Sequence, residues 1–125
     1  MEYSIKEAAQ KMGVTTHTLR YYDREGLLPH VGRTAGGIRR FSQEDLEGLA
    51  LINCLKATGM SIRQIKDFMD LSRQGDETLE KRRQILLHQR EQILAGMAQM
   101  QEHLSRVERK IAYYDTIARG KEQAK

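Results

Sequence analysis

Residues 15 to 24 place Thr15, Thr16, His17 and Thr18 ahead of Arg20, Tyr21, Tyr22 and Arg24. Four short polar side chains at the amino end of a helix lie beside unpaired backbone amides and the positive end of a helix dipole. Two arginines and a tyrosine pair follow on later turns. That combination can grip a phosphate backbone and reach base edges. Read from the residues, Thr16, His17 and Arg20 are the candidates for base readout. Of the two tyrosines, Tyr22 is the one expected inside, three residues after Leu19. A second basic cluster, Arg33, Arg39 and Arg40, stands in a glycine-rich stretch from Gly32 to Phe41.

The elements that must hold these groups are legible in the caps. Ser4 with Glu7 writes a capping box, Ile5, Ala8, Ala9 and Met12 recur at helical spacing, and Gly13 closes a short first helix. Val14 is expected to point inward and Thr15 to cap a second helix, which runs to about Glu25 before Gly26. A turn of three residues between these helices is the spacing of a helix-turn-helix. Leu27-Leu28-Pro29 leads out extended. Val31, a Gly36-Gly37 turn and Ile38-Arg39-Arg40-Phe41 then predict a hairpin wing.

Ser42 with Asp45 starts a third helix, apolar at Leu46, Leu49, Ala50, Ile52 and Leu55, that ends at Gly59. Ser61 with Gln64 starts a fourth, with Ile62, Ile65, Phe68 and Met69 on one face, stopping near Gly75. From Asp76 onward there is no proline. Two interleaved heptad series follow: Leu86, Ile93, Met100, Val107, Tyr114, and Arg83, Arg90, Met97, Leu104, Ile111, Ala118. They predict one helix over about 77 to 118 whose apolar stripe would be left in water unless a second copy covered it. The arginines at 83 and 90 confine the tight seam to Ile93, Met97, Met100, Leu104, Val107, Ile111 and Tyr114. The organisation expected is a DNA-binding head over 1–75, a dimerisation helix over 76–118 and a flexible tail over 119–125.

Charge and composition bound the alternatives. Of the net charge of +4, residues 1–41 carry +3, residues 42–75 carry −1 and residues 76–125 carry +2, so the excess sits with the candidate reader. A single cysteine excludes an internal disulfide framework, and no run approaches the length of a membrane span. The alternating start Met1-Glu2-Tyr3-Ser4-Ile5-Lys6-Glu7 is not an apolar leader, which points to a cytoplasmic protein. No nucleophile and base, carboxylate pair or phosphate loop stands at catalytic spacing, so an enzyme is not expected and no cofactor is implied. His88 and His103 are too far apart on one helix to share a metal. A basic coiled-coil adaptor for RNA would explain the long helix but not the caps or the wing.

The runs Tyr3-Ser4-Ile5-Lys6-Glu7-Ala8-Ala9, Thr18-Leu19-Arg20-Tyr21-Tyr22-Asp23, Gly26-Leu27-Leu28-Pro29, Gly37-Ile38-Arg39-Arg40-Phe41 and Gly59-Met60-Ser61-Ile62-Arg63-Gln64-Ile65 resemble, at matching spacings, the MerR family of transcriptional regulators. The resemblance implies a mainly α fold, a winged helix-turn-helix head followed by a long antiparallel coiled-coil dimerisation helix. It implies that Arg20 and Tyr21 hold the DNA backbone with Tyr22 close by, that Arg39 and Arg40 do so from the wing, and that Ser61 and Arg63 do so from a second wing. It also implies a homodimer on a pseudo-palindromic operator in double-stranded promoter DNA, which it twists and kinks so that RNA polymerase engages both promoter elements. The chain is similar to the small, thiol-dependent branch represented by NmlR and AdhR. On that likeness Cys54 is the candidate sensor of reactive aldehyde or nitrosative stress, acting by added bulk between the third helix and the dimerisation helix.

Overall fold

A computed structural model of the chain describes residues 2–28, 32–33 and 37–123. Among these, five α-helices and one two-stranded hairpin follow in the order α1 (Ile5–Met12), α2 (Thr16–Arg24), β1 (Gly32–Arg33), β2 (Arg39–Arg40), α3 (Gln43–Ala57), α4 (Ile62–Arg73) and α5 (Leu79–Gln123), with a single 3-10 turn at Asp76–Thr78 before α5.

Each of the first four helices starts where a side chain can take up an orphan amide. Ser4, Ser42 and Ser61 form complete capping boxes with Glu7, Asp45 and Gln64, and the Thr15 hydroxyl accepts from the Thr18 amide. α1 stops at Gly13, whose φ of 68° is left-handed, and its amide together with that of Val14 returns to the last carbonyls of the helix. Gly13 to Thr15 is therefore the three-residue turn that lets α2 cross α1.

The chain divides into two compact units, Met1–Gln89 and Arg90–Lys125. The core of the first gathers Ala8, Ala9, Leu19, Tyr22, Leu27, Leu28, Phe41, Leu46, Leu49, Ile52, Leu55, Met60, Ile65 and Phe68. α1 packs on α2 and α3, and α4 packs on α3. Burying each large side chain stabilises by roughly 1.5–3 kcal/mol, so Leu19, Leu49 and Ile52, all without solvent exposure, fix how the helices stack. The hairpin is antiparallel, Gly32 opposite Arg40 and Arg33 opposite Arg39. Its base is held by a bridge in which the Tyr3 amide donates to Phe41 O at 2.7 Å and the Phe41 amide to Tyr3 O at 2.8 Å. Val31 and Gly36 of the expected hairpin, and Pro29 before it, lie outside the described residues.

The first unit runs past the boundary expected at residue 75, for a physical reason. The Thr78 hydroxyl donates to Leu71 O at 2.6 Å, Arg82 Nη2 donates to Gly75 O at 2.8 Å, and Ile85 packs against the core. Gln89 is 7% exposed and its Nε2 donates to Thr58 O at 3.0 Å and to Thr58 Oγ1 at 2.7 Å. The opening turns of α5 thus belong to the head. The second unit is the remainder of α5. Residues 119–123, expected as a flexible tail, continue the helix.

Candidate nucleic-acid interface

α2 presents its amino-terminal turn and one long face outward. Thr15 and His17 are exposed and Thr16 and Thr18 are half-buried. Arg20, Tyr21 and Arg24 are exposed on the turns that follow. The Thr15 and Thr18 hydroxyls also share a hydrogen bond of 3.0 Å, so both are committed to the cap as well as facing outward. The opposite face is core: Leu19 is fully buried and Tyr22 is 6% exposed against 37% for Tyr21. The Tyr22 hydroxyl donates to Asn53 Oδ1 at 3.1 Å, locking α2 to α3, and desolvation, with the neighbouring Tyr21 adding to it, pushes its phenol above the usual tyrosine range. Tyr22 was expected close to the DNA backbone by resemblance; it is placed inside, as the periodicity of the helix requires.

The wing residues divide. Arg33 stands in β1, and nothing further of its side chain is described. Arg39 Nε donates to Asp23 Oδ2 of α2, with the two side chains 24% and 14% exposed. Arg39, expected by resemblance to hold the DNA backbone, thus has one edge of its guanidinium turned to α2. Arg40 is half-buried and lies near enough to Glu7 to help lower that carboxyl, whose depression comes first from accepting the Ser4 backbone amide. Ser61 and Arg63, at the start of α4, are exposed, with Ser61 Oγ accepting from the Gln64 amide at 3.1 Å. On α4, Arg73 Nη2 donates to Gly26 O at 3.3 Å and pairs with Asp70, tying this helix to the end of α2.

The face assembled in the first unit is thus an exposed amino-terminal turn, three exposed cationic or phenolic side chains on α2 and a wing clipped to that helix. Sequence reasoning missed Asp23, Asn53 and Gln89, polar residues whose partners are distant in sequence, and Thr78 and Arg82, which bind one another and the carbonyls of Leu71 and Gly75 at the start of α5. Cys54, the candidate sensor, is exposed on α3. Its carbonyl accepts from the Thr58 hydroxyl at 2.8 Å.

In the second unit the stripe stands open. Met97, Met100, Leu104, Val107, Ile111 and Tyr114 are each between 49% and 67% exposed, and Ile93 is partly buried. Among the described residues no group of three His, Cys, Asp or Glu could hold a metal ion, and no helix is long and apolar enough to cross a membrane.

The family model described as MerR HTH family regulatory protein matches residues 3–72, more than half of the chain, and the one described as MerR, DNA binding matches residues 46–109. The chain belongs to the MerR family. Among relatives, an uncharacterised HTH-type transcriptional regulator of Haemophilus influenzae is 43% identical over 114 residues, 91% of this chain and 84% of that one. The HTH-type transcriptional regulator AdhR of Bacillus subtilis is 37% identical over 73% of this chain and 65% of its own length. The crystal structure of HiNmlR, described as a MerR family regulator lacking the sensor domain and bound to promoter DNA, superposes with a TM-score of 0.87 at 42% identity, covering 93% of this chain and 92% of that one. A MerR family regulator from Bacillus thuringiensis does so with a TM-score of 0.84 at 38% identity, covering 90% and 98%. This MerR chain is therefore a transcriptional regulator of the NmlR- and AdhR-like kind, and its fold is the winged helix-turn-helix head with a long carboxy-terminal helix.

Proposed function

We propose that this MerR chain acts in the cytoplasm as a homodimer that binds a pseudo-palindromic promoter operator and distorts it, so controlling how RNA polymerase engages the promoter. The observation that carries the reading is the outward face of α2: Thr15, Thr16, His17, Thr18, Arg20, Tyr21 and Arg24 lie on a helix whose other face is fixed in the core through Leu19 and Tyr22. Arg40, Ser61 and Arg63 add phosphate contacts from the wing and from α4. The promoter complex of HiNmlR supports the choice of duplex DNA as partner. The open stripe from Ile93 to Tyr114 supports an antiparallel pairing of two copies, because water-exposed Met, Leu, Val and Ile at heptad spacing gain from mutual burial. Two heads related by a two-fold axis read two half-sites.

Cys54 is the proposed trigger. It is exposed and sits one turn before Thr58, which takes up Gln89 of α5, so alkylation or nitrosation there adds bulk beside the junction of α3 and α5.

The test is a footprint of the promoter region upstream of the chain's own gene, with RNA and scrambled duplex as competitors over a range of salt. Protection of two symmetric half-sites that weakens steeply with salt is expected. Protection by a monomer, or equal competition by RNA, would refute the reading. A Cys54→Ser variant that still responds normally to aldehyde would remove the thiol trigger while leaving the DNA reading intact.

A further inference from the structure

Two-residue strands make no stable hairpin by themselves, so the direction in which the wing points must come from its tethers. At the base stands the Tyr3–Phe41 bridge, and two residues along the strand Arg39 reaches across to Asp23 of α2. Both charged side chains are largely withdrawn from solvent, where a charge-assisted hydrogen bond holds geometry well. Arg39 is also the residue opposite Arg33 in the ladder, so a tether on Arg39 acts on β1 through the backbone pairing. The pair serves electrostatics too: Asp23 is a carboxylate on the helix that would meet a polyanion, and Arg39 neutralises it.

Resting on the DNA-binding reading above, we propose that Asp23 and Arg39 form a positioning pair that sets the angle of the wing against the recognition helix, so that Arg39 supports operator binding through Asp23 and not as a phosphate ligand.

The sign of one substitution separates this from simple charge attraction. Asp23→Asn removes a negative charge from the DNA-facing helix and, if Asp23 were a bystander, would tighten binding; as a positioning residue it loosens it. The probe is the duplex of highest affinity from an in vitro selection on the full chain, with a scrambled duplex beside it. Asp23→Asn and Arg39→Gln are each expected to weaken binding on the order of tenfold, with equal salt slopes, and the double variant is expected to be no worse than either. A phosphate ligand would instead lose about 0.9 in the slope of log K against log salt for each contact, in Arg39→Gln alone.

In the free protein, amide exchange at Arg39 and Arg40 should quicken in Asp23→Asn while Leu49 and Ile52 keep their protection. Tighter or unchanged binding by Asp23→Asn, additive losses, or an unaltered wing would overturn the proposal. Should Asp23→Asn fail to fold, Asp23→Glu keeps the charge and shifts the arm by a methylene: a severalfold loss is expected, and wild-type affinity would overturn it. A wild-type chain with no preference for the selected duplex over the scrambled one would sink the DNA-binding reading itself.

Discussion

Replacing Gln89 by alanine tests how the head is joined to the first turns of α5. The side chain is buried, and its amide donates both to the carbonyl of Thr58 at 3.0 Å and to the Thr58 hydroxyl at 2.7 Å. That carbonyl closes α3, where intrahelical donors have run out. The hydroxyl passes its own proton to Cys54 O at 2.8 Å, so it is free to accept from Gln89. Two hydrogen bonds at about 1 kcal/mol each, together with about 0.8 kcal/mol for the lost methylene, give roughly 2–4 kcal/mol once the stranded carbonyl is included.

Urea denaturation at constant protein concentration is the assay, because association of the chains would itself move the midpoint. Thr58→Val should lose about 1–2 kcal/mol, and the double variant should show a coupling of about 1 kcal/mol. Gln89→Glu places a carboxylate against the carbonyl, so it should be worse than alanine at neutral pH and recover as acid protonates it. A loss under about 0.5 kcal/mol for Gln89→Ala, or strict additivity with Thr58→Val, would refute the claim that this contact ties α5 to α3.

Gly59 has a φ of 105° with nothing within 4 Å of an added Cβ, so Gly59→Ala should lose about 1–2 kcal/mol through backbone strain alone, whereas Gly48→Ala inside α3, equally unobstructed, should gain about 0.5–1 kcal/mol by chemical denaturation. The Glu7 carboxyl is held below its ordinary value by the Ser4 amide, so its contribution is present above about pH 4.5 and is lost as pH falls through the depressed folded value. Glu7→Gln should therefore be less stable than wild type at pH 7, with midpoints converging as pH falls below that depressed value. In the proposed dimer, Leu104→Glu puts a charge into the stripe and should raise the dissociation constant at least on the order of a hundredfold by light scattering; unchanged association would refute a seam through Leu104.

The helix boundaries in the head were written locally. Ser4, Thr15, Ser42 and Ser61 each begin a helix because a short oxygen three residues ahead of an orphan amide is a contact the chain makes with itself, and Gly13 and Gly59 end helices because an αL residue is a property of one position. Periodicity likewise put Leu19 and Tyr22 inside and Tyr21 outside, and it laid out the stripe from Ile93 to Tyr114. The roles of polar side chains were decided by tertiary structure. Arg39 reads as an open cation of the wing until the hairpin folds it against Asp23, sixteen positions earlier in the chain, and Gln89 reads as an ordinary surface residue of a long helix until Thr58 arrives beneath it. Cys54, by composition a small apolar residue, is exposed because the register of α3 turns Leu49, Ile52 and Leu55 to the core in its place. A cap depends on φ, ψ and the next three residues, which sequence contains; a partner across the fold depends on where whole helices stop, which only packing determines.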